Sequence, residues 1–315
     1  MKQRITNNFL LITVLLAVVF AVAMRATIFQ KPSAPFVMGN TVPKQFSDYW
    51  FAGKAELNSY QLEQAQYGAL NPGTAVLIFV TEDFRTDTQV KSESEASRDK
   101  SIPVLKTNLV RKFTTGIYDY SVFTSVFTPI YNEKFPNTLK VSSSVQEWCG
   151  HSYVQLNLKN NGYSVSSRSY FEQEASEDYR VDKVLLEDEL WNRIRLAPDK
   201  LPTGEVMFIP SSVSGRIRHK KLDPVKSSAQ QGPYAGNAFK GDSLQAYMVD
   251  YATDKRKFMI VYEAKFPYRI MGWEDTFPSK DKLMTSRAVL QKTIQSDYWK
   301  HNALVDSTLR KSLNL

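Results

Sequence analysis

The sequence predicts a mainly β, α+β fold: an antiparallel curved sheet or half barrel with helices packed on it, preceded by an N-terminal hydrophobic helix. Three observations predict it. Strand-like segments follow one another closely, from about residue 103 to 172 and again from 205 to 275. Within one of them Val154, Leu156 and Leu158 alternate with Tyr153, Gln155 and Asn157, the period of a strand with one wet face. Helices do not alternate regularly with strands, so a parallel sheet is not expected. With 315 residues, 43% of them hydrophobic, the chain can bury a large core.

Taken in order, the chain opens on Lys2 and Arg4, then an apolar run from Phe9 to Ala23 with small residues at Ala21 and Ala23. A basic start before such a run marks export. Residues 1–25 are therefore expected to be a signal peptide or an uncleaved membrane anchor, since a helix over Ile5–Met24 could just span the hydrocarbon. The expected location is the cell envelope, facing the periplasm. No cysteine lies near this run, which excludes a lipoprotein anchor. Residues 26–45, with Pro32, Pro35 and Pro43, read as a linker. Residues 46–315 are expected to form one β-rich envelope domain.

In that domain Leu62, Ala65 and Gln66 predict a helix from about Ser59, and Asn71-Pro-Gly73 a turn. Ala75–Thr81 reads as a buried strand, and 85–101 as a solvated loop. Strands follow at about 103–113, 116–128, 138–147, 150–159 and 163–172. Asn160-Asn-Gly162 is a hairpin turn, because Asn and Gly tolerate positive φ. Residues 182–196 break the pattern with apolar residues at helical spacing, ended by Pro198 and Pro202. Strands resume at about 205–209, 213–219, 243–251, 256–264 and 267–275. Gln230–Gly241 reads as a loop. From Lys280 a helix is expected to the end, with Leu290, Ile294, Tyr298, Leu304 and Leu309 facing the core.

The net charge is +8, but Lys and Arg are interleaved with Asp and Glu, so no nucleic-acid partner is expected. The exception is the run Arg216–Lys221. Its His219 is expected at the surface, where it could meet lipid headgroups or phosphate. P-loop, dinucleotide, G-x-S-x-G and H-E-x-x-H motifs are absent, and no cofactor or metal is expected. Cys149 is the only cysteine, so an intramolecular disulfide is impossible. It lies in Gln146-Glu-Trp-Cys-Gly-His151. On one continuous strand Glu147, Cys149 and His151 would share a face at steps of about 6.5–7 Å, too far apart for a dyad or a metal site. Two readings of this segment stand. In the structural one Trp148 anchors the core beside Val154, Leu156 and Leu158, Gly150 makes a bend, and Cys149 is a small buried group. In the functional one Glu147, His151, Tyr153, Gln155 and Asn157 form a ligand-binding face. Glu187-Asp188-Glu189 reads as a solvated helix face.

Two resemblances follow from these residues. Asp48-Tyr-Trp-Phe-Ala-Gly-Lys-Ala-Glu-Leu57, Phe113-Thr-Thr-Gly-Ile-Tyr118 and Gln146–His151 resemble a family of roughly 300-residue bacterial envelope proteins that carry the label "septum formation inhibitor Maf". The Ser-Pro-Arg-Arg motif of the Maf nucleotide pyrophosphatases is absent here, so none of their catalytic residues carries over. The segments Leu185–Leu196, Leu201–Gly204 and Tyr262–Tyr268 are similar to a bacterial half-barrel domain of unknown function, related in shape to lipoprotein carriers. That resemblance implies a concave apolar sheet suited to an acyl chain. The function expected is a cell-envelope protein of unknown activity that binds a lipid, a membrane surface or another apolar ligand on its curved sheet. The alternatives are an envelope enzyme with a site near Glu147 and His151, or a structural and interaction protein. An apolar cavity favours the first, and a cleft joining Glu147 to His151 favours the enzyme.

Overall fold

The computed structural model describes residues 39–315, so the expected signal or anchor and most of the linker lie outside the described residues. The fold is mainly β. A short helix α1 (Lys44–Trp50) leads into β1 (Ala55–Gln66), β2 (Ala69–Arg85), β3 (Ser101–Thr115) and β4 (Tyr118–Pro129). Next come β5 (Lys140–Glu147), β6 (Gly150–Lys159), β7 (Gly162–Ser169), β8 (Ser176–Asp182) and the short β9 (Leu185–Leu186). Helix α2 (Leu190–Leu196), β10 (Gly204–Ile209), helix α3 (Ser212–Ile217) and β11 (Val225–Pro233) follow. The last strands are β12 (Leu244–Tyr251), β13 (Arg256–Glu263), β14 (Ile270–Ser279) and β15 (Lys282–Ser296). No helix among the described residues is long and apolar enough to cross a membrane.

All fifteen strands belong to one large, open, curved sheet, ordered β8-β7-β6-β5-β4-β3-β2-β1-β15-β14-β13-β12-β11-β10-β9. Every pairing is antiparallel except β9 with β10. The first strand pairs with the last, Ala55 opposite Ser296. The two edge strands are consecutive in the chain. Only three residue steps separate Asp182 from Leu185, so those strand ends lie within about 11 Å of each other. Val181 of β8 and Leu186 of β9 share one apolar cluster, and the backbone N–H of Leu222, in the loop after the helix that follows β10, donates to Tyr179 Oη of β8 at 3.2 Å.

The concave face encloses α2, whose seven residues are all buried. The helix touches strands of both halves of the sheet. Trp191 meets Phe258 and Trp273 edge-on, with centroids 5.7 and 5.2 Å away. Asn192 Nδ2 donates to the Leu105 carbonyl at 3.0 Å and to Thr128 Oγ1 at 2.8 Å. Arg195 pairs with Glu56.

Several expected elements differ. The helix from Ser59 is the second half of β1, where Tyr60 and Leu62 are buried and Gln61 and Glu63 are exposed. Asn71-Pro-Gly73 lies within β2. The missing side chain of Gly73 serves close approach, since a Cβ there would sit 2.3 Å from the Lys112 carbonyl oxygen. The predicted strand 213–219 is α3 and its C-terminal turn. Gln230–Pro233 continues β11 rather than forming a loop. The C-terminal helix is β15, followed by 3-10 turns in which Leu304 and Leu309 are exposed rather than in the core, while Tyr298 packs on a small apolar cluster. Leu290 and Ile294 sit four apart, a spacing that reads as helical. The register slips at Gln291, so Leu290 packs on the main core and Ile294 on the outer cluster with Leu57 and Val80.

Candidate functional site

Each antiparallel strand reverses direction, so the turns after β1, β3, β5, β7, β10, β12 and β14 gather at one end of the sheet. Helix α3, in the β10–β11 connection, covers the core at that end. Its anchor is polar: Asp188 Oδ2 accepts from the Ser212 N–H at 2.9 Å and from its hydroxyl at 2.7 Å. Gly215 lets α3 close on its own return, since a Cβ there would meet Leu222 at 2.8 Å.

Arg216 is the hub of the surface that α3 presents. It donates to Glu147 Oε1 at 3.3 Å, to Glu174 Oε1 at 3.2 Å and to Ser152 Oγ at 3.1 Å. Its guanidinium lies over the Phe171 ring, 4.3 Å from the centroid. The chain then turns through His219 at a φ of 51°. There the ring nitrogen Nδ1 is 2.6 Å from Glu174 Oε1. Arg218 and Lys220 both hold Asp254. Burial pushes the Asp254 carboxyl up, but these two cations outweigh it and keep it below the usual carboxylate range. Lys221 pairs with Glu177 at 3.0 Å and caps the Tyr179 ring at 4.0 Å. Burial pushes the Tyr179 hydroxyl up to about 12.

Three spaces surround this hub. The main cleft, about 280 Å³, runs between α3 and β6–β8, with Arg216, His219, Lys220 and Lys221 facing Glu174 and Glu177. Ser152, Ser167, Ser212 and Tyr179 add hydroxyl groups to it. A recess of about 220 Å³ on the other side of Arg216 is lined by Tyr67, Tyr120, Glu147, Cys149 and His219. Beneath α3 lies a narrow polar space, with room for about one water. There Arg256 bridges Glu187, at 2.5 and 2.7 Å, and Asp275, at 2.7 and 3.0 Å. Arg111 lies over the Trp273 ring at 5.7 Å, and its Nε has no hydrogen-bond partner among the described residues.

The five residues expected to form one face do not share it. Trp148 and Cys149 form a two-residue turn, so Glu147 pairs with Gly150 and His151 with Gln146. The reversal sends Glu147 inward to Arg216 and leaves His151 outside, exposed. Tyr153, Gln155 and Asn157 follow His151 on the outer face. They form a polar row: Tyr153 Oη donates to Gln155 at 2.7 Å, Gln155 to Asn157 at 2.6 Å, and Asn157 to Gln89 at 2.6 Å. The alternation of β6 is as expected, with Leu156 buried. Trp148 is not a core anchor, being 68% exposed, and Cys149 is exposed too. Glu187, Asp188 and Glu189 are buried rather than solvated, each held by a partner: Arg256, Ser212 and Arg193. The residues sequence reasoning missed are Glu174, Glu177 and Arg216. Arg216 stands in the visible basic run, while nothing local singles out the two carboxylates.

The concave face expected to cradle an acyl chain is occupied by α2. Among the described residues no group of three or more His, Cys, Asp or Glu side chains is arranged to hold a metal ion. Comparison with family models, with curated proteins and with solved structures gives no match for this chain.

Proposed function

We propose that this is a non-enzymatic cell-envelope protein that binds an anionic, hydroxyl-bearing head group in the cleft between α3 and β6–β8. One observation carries the reading: three cationic side chains, Arg216, Lys220 and Lys221, line a cleft together with His219, two carboxylates and several hydroxyls. Arg and Lys are the groups that recognise phosphate and carboxylate oxygens, and the hydroxyls can orient a polyol. The apolar N-terminal run and the resemblance to envelope proteins support the location. A ligand held at the α3 end is compatible with a sheet interior filled by α2.

The test titrates glycerol phosphate into the full chain in neutral detergent, with glycerol as the uncharged control. Lys221→Glu removes a charge-assisted contact of about 1.5–3 kcal/mol, so binding should weaken about 10- to 100-fold. No binding by the native chain, or equal affinity in the variant, sinks the reading.

A second reading, thiol chemistry, is favoured by one feature. Cys149 and His219 line the same recess, and Glu174 holds His219 Nδ1. A thiol nucleophile and an oriented base need that grouping. No hydrogen bond joins them in this arrangement. On this reading iodoacetamide should alkylate Cys149 distinctly more slowly in His219→Ala than in the native chain. Equal rates across pH 6–9 would remove it.

A further inference from the structure

The turns at the α3 end share a feature that the head-group cleft does not use. Almost every tight hairpin there carries an exposed apolar or amphipathic residue at its tip. These are Tyr67 after β1, Ile117 after β3, Trp148 after β5, Tyr170 after β7 and Leu283 beyond the β14–β15 turn. Ile117 is 82% exposed and Leu283 65%. Alternate turns of a meander stand two strands apart, about 10 Å. The tips therefore form a spaced arc rather than one continuous apolar patch.

Next to Leu283 the β12–β13 and β14–β15 turns enclose a groove of about 490 Å³. Its floor is apolar, from Pro278 and Leu283, and four lysines surround it: Lys255, Lys257, Lys280 and Lys282. Among the described residues only Lys257 of these has an ion-pair partner, Asp250 at 3.0 Å, which leaves Lys255, Lys280 and Lys282 around Asp281. The groove is thus positive and greasy at once.

We propose that this rim docks on an anionic lipid bilayer. A protein partner buries a contiguous, complementary surface. A bilayer interface instead accepts separate tips, with Trp and Tyr rings at the headgroup level and aliphatic side chains below it. Lysines beside the tips gain from the negative surface potential of anionic lipid. The three tyrosine and tryptophan tips, the two aliphatic tips and the unpaired lysines meet both requirements. Docking in this way presents the α3 cleft to the headgroup layer, but it does not depend on that cleft binding anything.

The experiment uses the full chain reconstituted in vesicles with brominated phospholipid, either phosphatidylcholine alone or with phosphatidylglycerol. Bromine quenches only tryptophan that reaches the lipid. Quenching should require phosphatidylglycerol and should disappear in Trp148→Phe but persist in Trp299→Phe, which removes an exposed tryptophan at the opposite end. The double variant Lys280→Glu, Lys282→Glu should need about ten-fold more phosphatidylglycerol for the same quenching. Loss of quenching in Trp299→Phe with none in Trp148→Phe overturns the proposal in favour of the other end. Quenching that ignores phosphatidylglycerol overturns it as well. Lys221→Glu separates the two readings, since it should weaken glycerol phosphate binding about 10- to 100-fold and leave the quenching of Trp148 intact.

Discussion

Arg195→Ala is expected to destabilise the protein by about 3–5 kcal/mol, a large share of the roughly 5–15 kcal/mol by which a domain is ordinarily stable. Arg195 is fully buried and donates to Glu56 through both terminal nitrogens, at 2.6 and 2.7 Å. Its Nε donates to the Pro267 carbonyl at 2.8 Å, and the guanidinium lies over the Phe79 and Trp50 rings at 4.6 and 4.9 Å. Glu56 also accepts from Asn58 at 2.8 Å and from the Tyr49 hydroxyl. Removing the cation leaves this carboxylate buried and uncompensated, which is why one partner alone is so damaging. The double variant Arg195→Met, Glu56→Leu should recover much of the loss, since apolar replacements of similar volume often match a buried pair.

The pH dependence follows from Glu56. Burial pushes its carboxyl up, but Arg195 and the hydrogen bonds outweigh that and hold it below its ordinary value of 4.5. A depressed acid contributes stability that is present above the unfolded value and lost as pH falls through the folded one. The native chain should therefore lose stability below about pH 4.5 faster than the double variant. Urea denaturation at pH 7 and in acid checks both statements. A single Arg195→Ala variant as stable as the native chain would contradict the whole account of this pair.

Trp191→Ala should cost about 3–5 kcal/mol, from lost burial plus the cavity left behind. Its ring sits between Phe258 and Trp273, and Trp273 in turn meets Tyr60 at 4.8 Å. These four rings tie α2 to β1, β13 and β14, so the cavity would open where three strands meet. Trp148→Ala is the matched control. It truncates the same residue type at an exposed turn and should change stability by less than about 0.5 kcal/mol. Comparable midpoints for the two variants would show that Trp191 does not anchor the core.

What the sequence made legible was local. The β6–β7 hairpin follows from alternation in β6 and from Asn160-Asn-Gly162, both contained within a few residues. The helix near 182–196 is visible in its apolar spacing. Its depth is not, because Glu187 finds Arg256 only 69 residues later, and Asp188 finds Ser212 24 residues later. Charged side chains read as solvated until a distant partner is known. The candidate site failed at a single point. Gly150 was read as a bend within one strand, whereas Trp148-Cys149 is the turn between two. A two-residue reversal changes which residues share a face, and it separated Glu147 from His151. The cluster around Arg216 draws on β5, α3 and the β7–β8 turn, so no stretch of sequence contains it.

The pairing of β1 with β15 bears on how the chain acquires its shape. Most neighbours in this sheet are neighbours in sequence, and each half can zip up hairpin by hairpin as it is made. The seam between the halves joins Ala55 to Ser296, 241 positions later in the chain, and cannot form until that later strand is available. Bringing such distant segments together is entropically slow. While it waits, β1 presents an unpaired edge, the kind that invites a wrong partner. A chain truncated before Lys282 would keep that edge permanently, and β14 would lose one of its two partners. β15 thus acts as the keystone between two halves that are each built from local hairpins: without it both β1 and β14 carry a bare edge.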